Sequence, residues 1–254
     1  MNIEPKHPVK SAEKTLSIID ALHELEGAGI TELSRHLGYS KATVHHHLST
    51  LEANEYVVNR DDRYQLGIRL FELGQFTRRE IDLFEIAKPE VDSLAERTGE
   101  IANLMFEEHG RGIYLYIARG EQAVHLDTHI GTRQYLHTSA SGKSILSHLP
   151  QEHLESIIDR HGLPSETENT VTDVDHLRSE LNEIRTHGVA FDGEERAEGI
   201  RCVAAPILDN QQTLLGAVSV SAPSVRMQGD WFKEEVPELV KKTAKIIGIN
   251  ASYS

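Results

Sequence analysis

The chain has 254 residues, 39% hydrophobic and 26% charged, which suits one large or two smaller domains with a buried core and excludes wholesale disorder. No apolar run reaches the ~18 residues of a membrane helix, residues 1–10 lack the apolar stretch of a signal peptide, and the single cysteine, Cys202, excludes an internal disulfide and any zinc site built on several cysteines. The formal charge of −14 is uneven: residues 1–80 hold 10 Lys+Arg and 12 Asp+Glu, a net −2, and the other −12 lies beyond them.

These bounds predict a cytoplasmic protein with no membrane partner. In chain order, residues 11–25 read as a first helix, with Leu16, Ile19, Leu22 and Leu25 in steps of three as its buried stripe. Gly27 and Gly29 end it. Thr31 is placed to cap a short second helix, in which Leu33 and Leu37 are one turn apart, and Gly38 supplies a tight turn. Ser40 caps a third helix over residues 41–53, whose inner face is Val44, Leu48 and Leu51. Two β-prone runs follow, residues 56–58 and 64–66, and the polar stretch 59–63 is the loop of a hairpin. Residues 66–84 are amphipathic, with Leu70, Leu73 and Phe76 or Thr77 on one side, and read as one linker helix. A further helix follows Pro89, with Val91, Leu94 and Ala95 inward, and Gly99 stops it. Strands are expected over 101–107, 113–118 and 123–127, helices over 143–149, 151–161 and 174–187, strands over 203–208 and 214–221, and a last helix over 230–247. Such mixing predicts an α+β domain from about Phe84.

Helix, short helix, turn, capped helix and hairpin is the order of a winged helix-turn-helix, whose third helix reads the major groove. Beside the stripe of Val44, Leu48 and Leu51, the side chains of Lys41, Ala42, Thr43, His45, His46 and Ser49 point outward, with Ser40 at the helix start. They are short or polar, suited to phosphates and base edges. Arg60 and Arg63 on the wing are in reach of the backbone or the minor groove. The competing reading is a three-helix scaffold with no DNA role. The run His45-His46-His47 does not make a metal site, because neighbours 100° apart on one helix cannot converge on an ion. No metal and no cofactor are expected.

In the second half, residues 138–144 end in Gly142-Lys143-Ser144, like the close of a phosphate-binding loop. That motif needs a glycine where His137 stands, so nucleotide hydrolysis is rejected. Small residues and free N–H groups at a helix start still suit an anion, and a carboxylate fits the amides of Ala140 and Ser141. The alternative is a plain helix entry capped by Ser139 or Ser141. A glycine-punctuated acidic loop, residues 188–195, runs into the apolar strand that carries Cys202. Alone, a cysteine is more often a small buried hydrophobe than a nucleophile. Ser219 and Ser221 share one strand face and either hold a polar ligand or face water.

Along nearly its whole length the chain resembles the IclR family of transcription regulators. The N-terminal likeness rests on Ile30-Thr31-Glu32-Leu33-Ser34, Ser40-Lys41-Ala42-Thr43-Val44-His45-His46-His47-Leu48 and Tyr64-Gln65-Leu66-Gly67. The C-terminal likeness rests on Gly188, Asp192, Glu195, Cys202, Val203, Ala204, Ile207 and Asp209, and on residues 136–143; Leu208 stands where an aromatic residue or His is usual. Residues 107–112 and 118–124 are similar to a haloarchaeal branch, in keeping with the acid balance.

The resemblance implies a winged helix-turn-helix over residues 1–66, a linker over 67–84 and a GAF-like effector domain over 85–254, with an antiparallel sheet flanked by helices. It implies effector contacts from the amides of Ala140 and Ser141 and from Asp192, Ile200, Cys202, Ser219 and Ser221. Gln134 makes the pocket more polar than usual. Ala42 replaces a usual serine and His46 a usual arginine, so no operator sequence carries over. The expected function is operator binding by a homodimer or dimer of dimers, controlled by a small catabolic carboxylate or sugar acid. The rivals are an enzyme using Cys202 and a GAF-type sensory or interaction module without DNA binding.

Overall fold

In the computed structural model, which describes residues 7–126 and 128–253, the first element is α1, Lys10–Glu24. Its buried residues are Ile18, Ala21 and Leu22, the i, i+3, i+4 set, whereas Leu16 is 60% exposed. The expected stripe fails there because steps of three fall 60° short of a full turn each time. α2, Ile30–Leu37, is capped by Gly29 without a side-chain bond, so Thr31 lies inside the helix and is not its cap. α3, Lys41–Ala53, begins as expected: the Ser40 hydroxyl accepts from the Thr43 amide at 3.1 Å. Its Val44, Leu48 and Leu51 join Ile18, Leu22 and Leu33 in one core.

The wing is β1, Val57–Arg60, paired antiparallel with β2, Arg63–Leu66. The expected five-residue loop is only a two-residue turn, Asp61-Asp62, with both φ positive at 52° and 63°. That turn follows the strand twist, and aspartate tolerates the left-handed region.

The chain divides into two compact units after Glu80. The single linker helix expected over residues 66–84 is two helices, α4, Arg69–Arg79, and the start of α5, Asp82–Thr98. Ile81, in extended conformation, separates them. Pro89 lies inside α5 and does not precede it. Leu83, Phe84 and Ala87 before it and Val91, Leu94 and Ala95 after it are all buried, so packing on both sides outweighs the lost backbone bond.

The second unit is built on one antiparallel sheet of six strands: β3, Ile101–Glu108; β4, Arg111–Arg119; β5, Arg133–Tyr135; β6, Ala190–Gly193; β7, Ile200–Leu208; and β8, Leu214–Pro223. Their spatial order is β5-β4-β3-β8-β7-β6. The strand expected over 123–127 is absent at 123–126, and Asp127 lies outside the described residues. β5 and β6 were not foreseen. Alternation sorts the sheet into two faces. Val203, Ala205, Ile207, Val218, Val220 and Ala222 pack with α5 and with α9, Val236–Ala251, which follows a π-helical turn at Trp231–Glu235. Cys202, Ala204, Ala217, Met105 and Tyr114 face the other way, toward α6, Ala140–Leu146; α7, Gln151–His161; and α8, Val174–His187.

Helix α6 starts three residues before the expected position, and all seven of its residues are buried. At Gly142 any Cβ would collide with the Leu136 carbonyl, so only glycine lets the helix press down on the preceding turn.

Candidate functional site

Of the expected DNA-reading residues, those of α3 lie mostly on its exposed side. Lys41, Ala42, His45, His46 and Ser49 are exposed on α3, and Thr43 is half-buried with its hydroxyl 2.9 Å from that of Ser40. His47 turns inward, its Nδ1 2.8 Å from the Thr15 hydroxyl. Among the described residues no group of His, Cys, Asp and Glu is arranged to hold a metal. The two wing arginines differ. Arg60 is exposed and forms no ion pair among the described residues. Arg63 is engaged by the body of its own unit, donating to the Gly27 carbonyl and pairing with Glu32 at 3.3 Å. Its place at the start of β2, next to the Ala28–Tyr64 bridge, brings it against the loop after α1 while its side chain stays exposed.

In the second unit, strand register brings distant residues into one row beneath α6. Asp192 of β6 lies opposite Cys202 of β7, which lies opposite Ser221 of β8. Ser219 lies opposite Ala204 on one side and Asn103 of β3 on the other. Ile200, two residues before Cys202, keeps to the same face and is half-buried. Ser219 and Ser221 do not face water: both are buried, and the Asn103 amide donates to them at 3.3 and 3.2 Å. The Ser221 hydroxyl donates in turn to the Cys202 sulfur at 3.2 Å.

Gln134 is the second node. Its side-chain oxygen accepts from Arg196 Nε at 2.6 Å and from the Tyr114 hydroxyl at 3.3 Å, and its amide donates to the Ser139 hydroxyl at 2.6 Å. Ser139 caps α6 by accepting from the Gly142 amide at 3.2 Å, which answers the choice of cap in favour of Ser139 over Ser141. Ala140 and Ser141 form the buried first turn.

The electrostatics follow from burial. The Asp192 carboxyl is pushed up to about 7 by desolvation, although the Glu195 amide donates to its Oδ1 at 2.7 Å. The Cys202 thiol is pushed up to about 12 by burial and then by the nearby Asp192 charge, so it carries no thiolate at neutral pH. Lys143, the lysine of the phosphate-loop lookalike, is only 2% exposed. Its ammonium lies 2.7 Å from Glu195 and 3.0 Å from Glu180. Desolvation opposes its charge, but the two carboxylates outweigh it and raise its pKa.

Sequence reading missed Asn103, Tyr114 and Arg196. Asn103 left one signal, as the lone polar residue in the apolar run from Ile101 to Phe106.

Two family models match. Residues 11–61 match the IclR helix-turn-helix domain, and residues 75–249 match the C-terminal domain of the bacterial transcriptional regulator IclR. The chain is 37% identical over 252 residues to a probable HTH-type transcriptional regulator, ArcR, of Halobacterium salinarum, covering 98% of this chain and 95% of that one. It is 30% identical over 240 residues to the HTH-type transcriptional regulator KdgR of Escherichia coli, covering 94% and 91%. Among solved structures, the crystal structure of Thermotoga maritima IclR superposes with a TM-score of 0.76 at 29% identity, covering 97% of this chain and all of that one.

Proposed function

Because the chain belongs to the IclR family of transcriptional regulators, with a DNA-binding helix-turn-helix and an effector-binding C-terminal domain, we propose that it acts in the cytoplasm on a specific operator under the control of a small hydroxylated carboxylate such as a sugar acid. It is a transcription regulator and not an enzyme. In this reading, residues 1–66 read DNA, 67–84 connect, and 85–254 sense.

The observation that carries the reading is the polar row inside the second unit. Asp192, Ser219, Ser221, Asn103 and Gln134 are all buried between the sheet and its helices. Burying polar groups costs free energy unless each has a partner, so a core built for stability alone would be apolar here. The row offers hydroxyls and amides that can exchange their present bonds for those of a ligand. Asp192, whose carboxyl is protonated in part at neutral pH, meets an incoming acid without full repulsion and can pair with a ligand hydroxyl. The amides of Ala140 and Ser141 take the ligand's anionic end, Cys202 and Ile200 supply shape, and Gln134 orients the entrance.

On DNA, Ser40, Lys41, Ala42, Thr43, His45, His46 and Ser49 meet the major groove, and Arg60 meets the backbone. Arg63 joins them only if it leaves Glu32. One reading helix per chain calls for a homodimer or dimer of dimers on half-sites about one helical turn apart, ~10 bp or a multiple. Helix α4 supports a second copy, since it buries no residue of its own and exposes Phe71 and Phe76 by 61% and 65%.

The test is Ser141→Leu, which puts a larger side chain into the buried first turn of α6. Thermal melts of wild type with gluconate and galacturonate, set beside succinate and hexanoate, identify the class that stabilises it. The variant is expected to fold, to bind operator DNA, and to lose the melting shift. A variant that responds like wild type would refute the pocket; stabilisation by the unhydroxylated acids alone would refute the hydroxy-acid class.

A further inference from the structure

Residues 81–254 hold 16 Lys+Arg against 28 Asp+Glu, yet one cleft in this unit reverses that balance. Arg111, Arg133, Arg160 and Arg196 line a cavity of about 440 Å³, together with His109 and His161. Glu166 is its one carboxylate. Among the described residues none of the four arginines forms an ion pair, whereas Arg178, Arg201 and Arg226 of the same unit each have a carboxylate partner. In an acid-rich domain, four unpaired guanidiniums in one concavity are held together against their mutual repulsion.

The cleft is also built. Arg111 stacks on the Tyr135 ring, 3.6 Å from its centroid, which fixes the guanidinium plane and leaves its terminal nitrogens free to donate. The Tyr135 ring in turn meets the His161 ring edge-on at 6.4 Å. His161 Nε2 lies 2.9 Å from the His109 carbonyl oxygen. At Gly110, with φ 78°, an added Cβ would come within 2.7 Å of His161 Nε2. A side chain at residue 110 would therefore displace the His161 ring and sit in a strained backbone conformation.

We propose that this cleft is a second anion site, for a small multivalent oxyanion, either a polycarboxylate or a phosphorylated metabolite. Guanidiniums match both chemistries by paired N–H donation, and the cavity is of small-ligand size. The site borders the effector pocket, since Gln134 lines the cleft as well, but its arginines belong to none of the proposed effector contacts. Arg196 donates through Nε to Gln134, and Gln134 donates to Ser139, the cap of α6. An anion that recruits Arg196 draws on the bond that holds Gln134 against the cap. Occupancy of the cleft thereby adjusts the effector pocket.

The full-length protein is titrated with citrate and with pyrophosphate in separate calorimetric arms, at constant high ionic strength. The wild type is expected to bind at least one of them with submillimolar affinity. Arg133→Gln combined with Arg160→Gln, both exposed positions, is expected to weaken that binding by about tenfold or more. Arg97→Gln, an exposed arginine away from the cleft, is expected to leave it unchanged, and melts of each variant verify folding. Citrate alone binding identifies a polycarboxylate site; pyrophosphate alone identifies a phosphate site. Absence of binding in both arms overturns the proposal, as does equal weakening by Arg97→Gln, which marks diffuse ionic attraction. Because Ser141→Leu leaves the cleft intact, it is expected to keep this binding even as it loses the effector response, so the two sites fail separately.

Discussion

Asp192 is 2% exposed and its carboxyl titrates near 7, against 3.8 for a free aspartate. The folded state therefore prefers the protonated form. That preference stabilises the fold fully below the unfolded value and is lost as pH rises through about 7. Asp192→Asn keeps an oxygen to accept from the Glu195 amide and removes the titration. The wild type is expected to lose on the order of 1 kcal/mol per pH unit over part of the range from about 5 to 7 that the variant keeps. Denaturant midpoints of both proteins across that range check it, and parallel curves would remove Asp192 as the cause. Lys143 makes a second residue-scale prediction. Lys143→Met leaves Glu195 and Glu180 facing each other without their ammonium, at a cost of about 3–5 kcal/mol. Urea midpoints measure the loss, and adding Glu195→Gln is expected to restore part of it; a Lys143→Met protein as stable as wild type would deny the ion pair its role. The Gly-Lys-Ser string marks the lysine's setting but not its direction, because it looks the same whether its ammonium meets phosphate or a carboxylate 52 residues along the chain.

At the scale of elements, α3 carries the most direct prediction. Lys41 is exposed, and the Thr43 backbone, not its side chain, supplies the amide that Ser40 caps. The double variant Lys41→Ala, Thr43→Ala is therefore expected to melt within about 1 kcal/mol of wild type while losing retention on the DNA fragments that the wild-type chain enriches from its native genome. Undiminished retention in a gel-shift assay would move the recognition surface off α3. This helix is fully legible: its cap, its inner face and both its ends lie between Ser40 and Ala53. Elements that depend on distant partners were not. β5 and β6 are short, three and four residues, and each is a strand only because a neighbour pairs with it, β4 across the loop before β5 and β7 across the glycine-punctuated acidic loop after β6. Alternation placed Ser219 and Ser221 on one face, but it could not put Asn103 between them, since β3 and β8 meet across more than a hundred residues. Pro89 misled for the opposite reason: its local rule is sound, and tertiary packing overrode it.

At the scale of the molecule, the −12 carried beyond residue 80 sets the response to salt. Like charges on one folded surface repel, and added ions screen them over a Debye length of ~3 Å at molar strength. Melting temperature is expected to rise from dilute to molar KCl; a flat or falling trend would detach the acidic surface from stability. The reader responds to the same ions differently. Helix α3 bears Lys41 as its single lysine or arginine, beside three histidines. Each phosphate neutralised by a fixed cation steepens the fall of log K with log salt by about 0.9, because counterions condensed on the duplex are released. A helix so poor in fixed cations releases few. If α3 with Arg60 supplies the DNA contacts as proposed, operator occupancy is expected to fall only slowly as potassium rises, leaving sequence-reading contacts rather than electrostatic adhesion to decide where on DNA the protein rests.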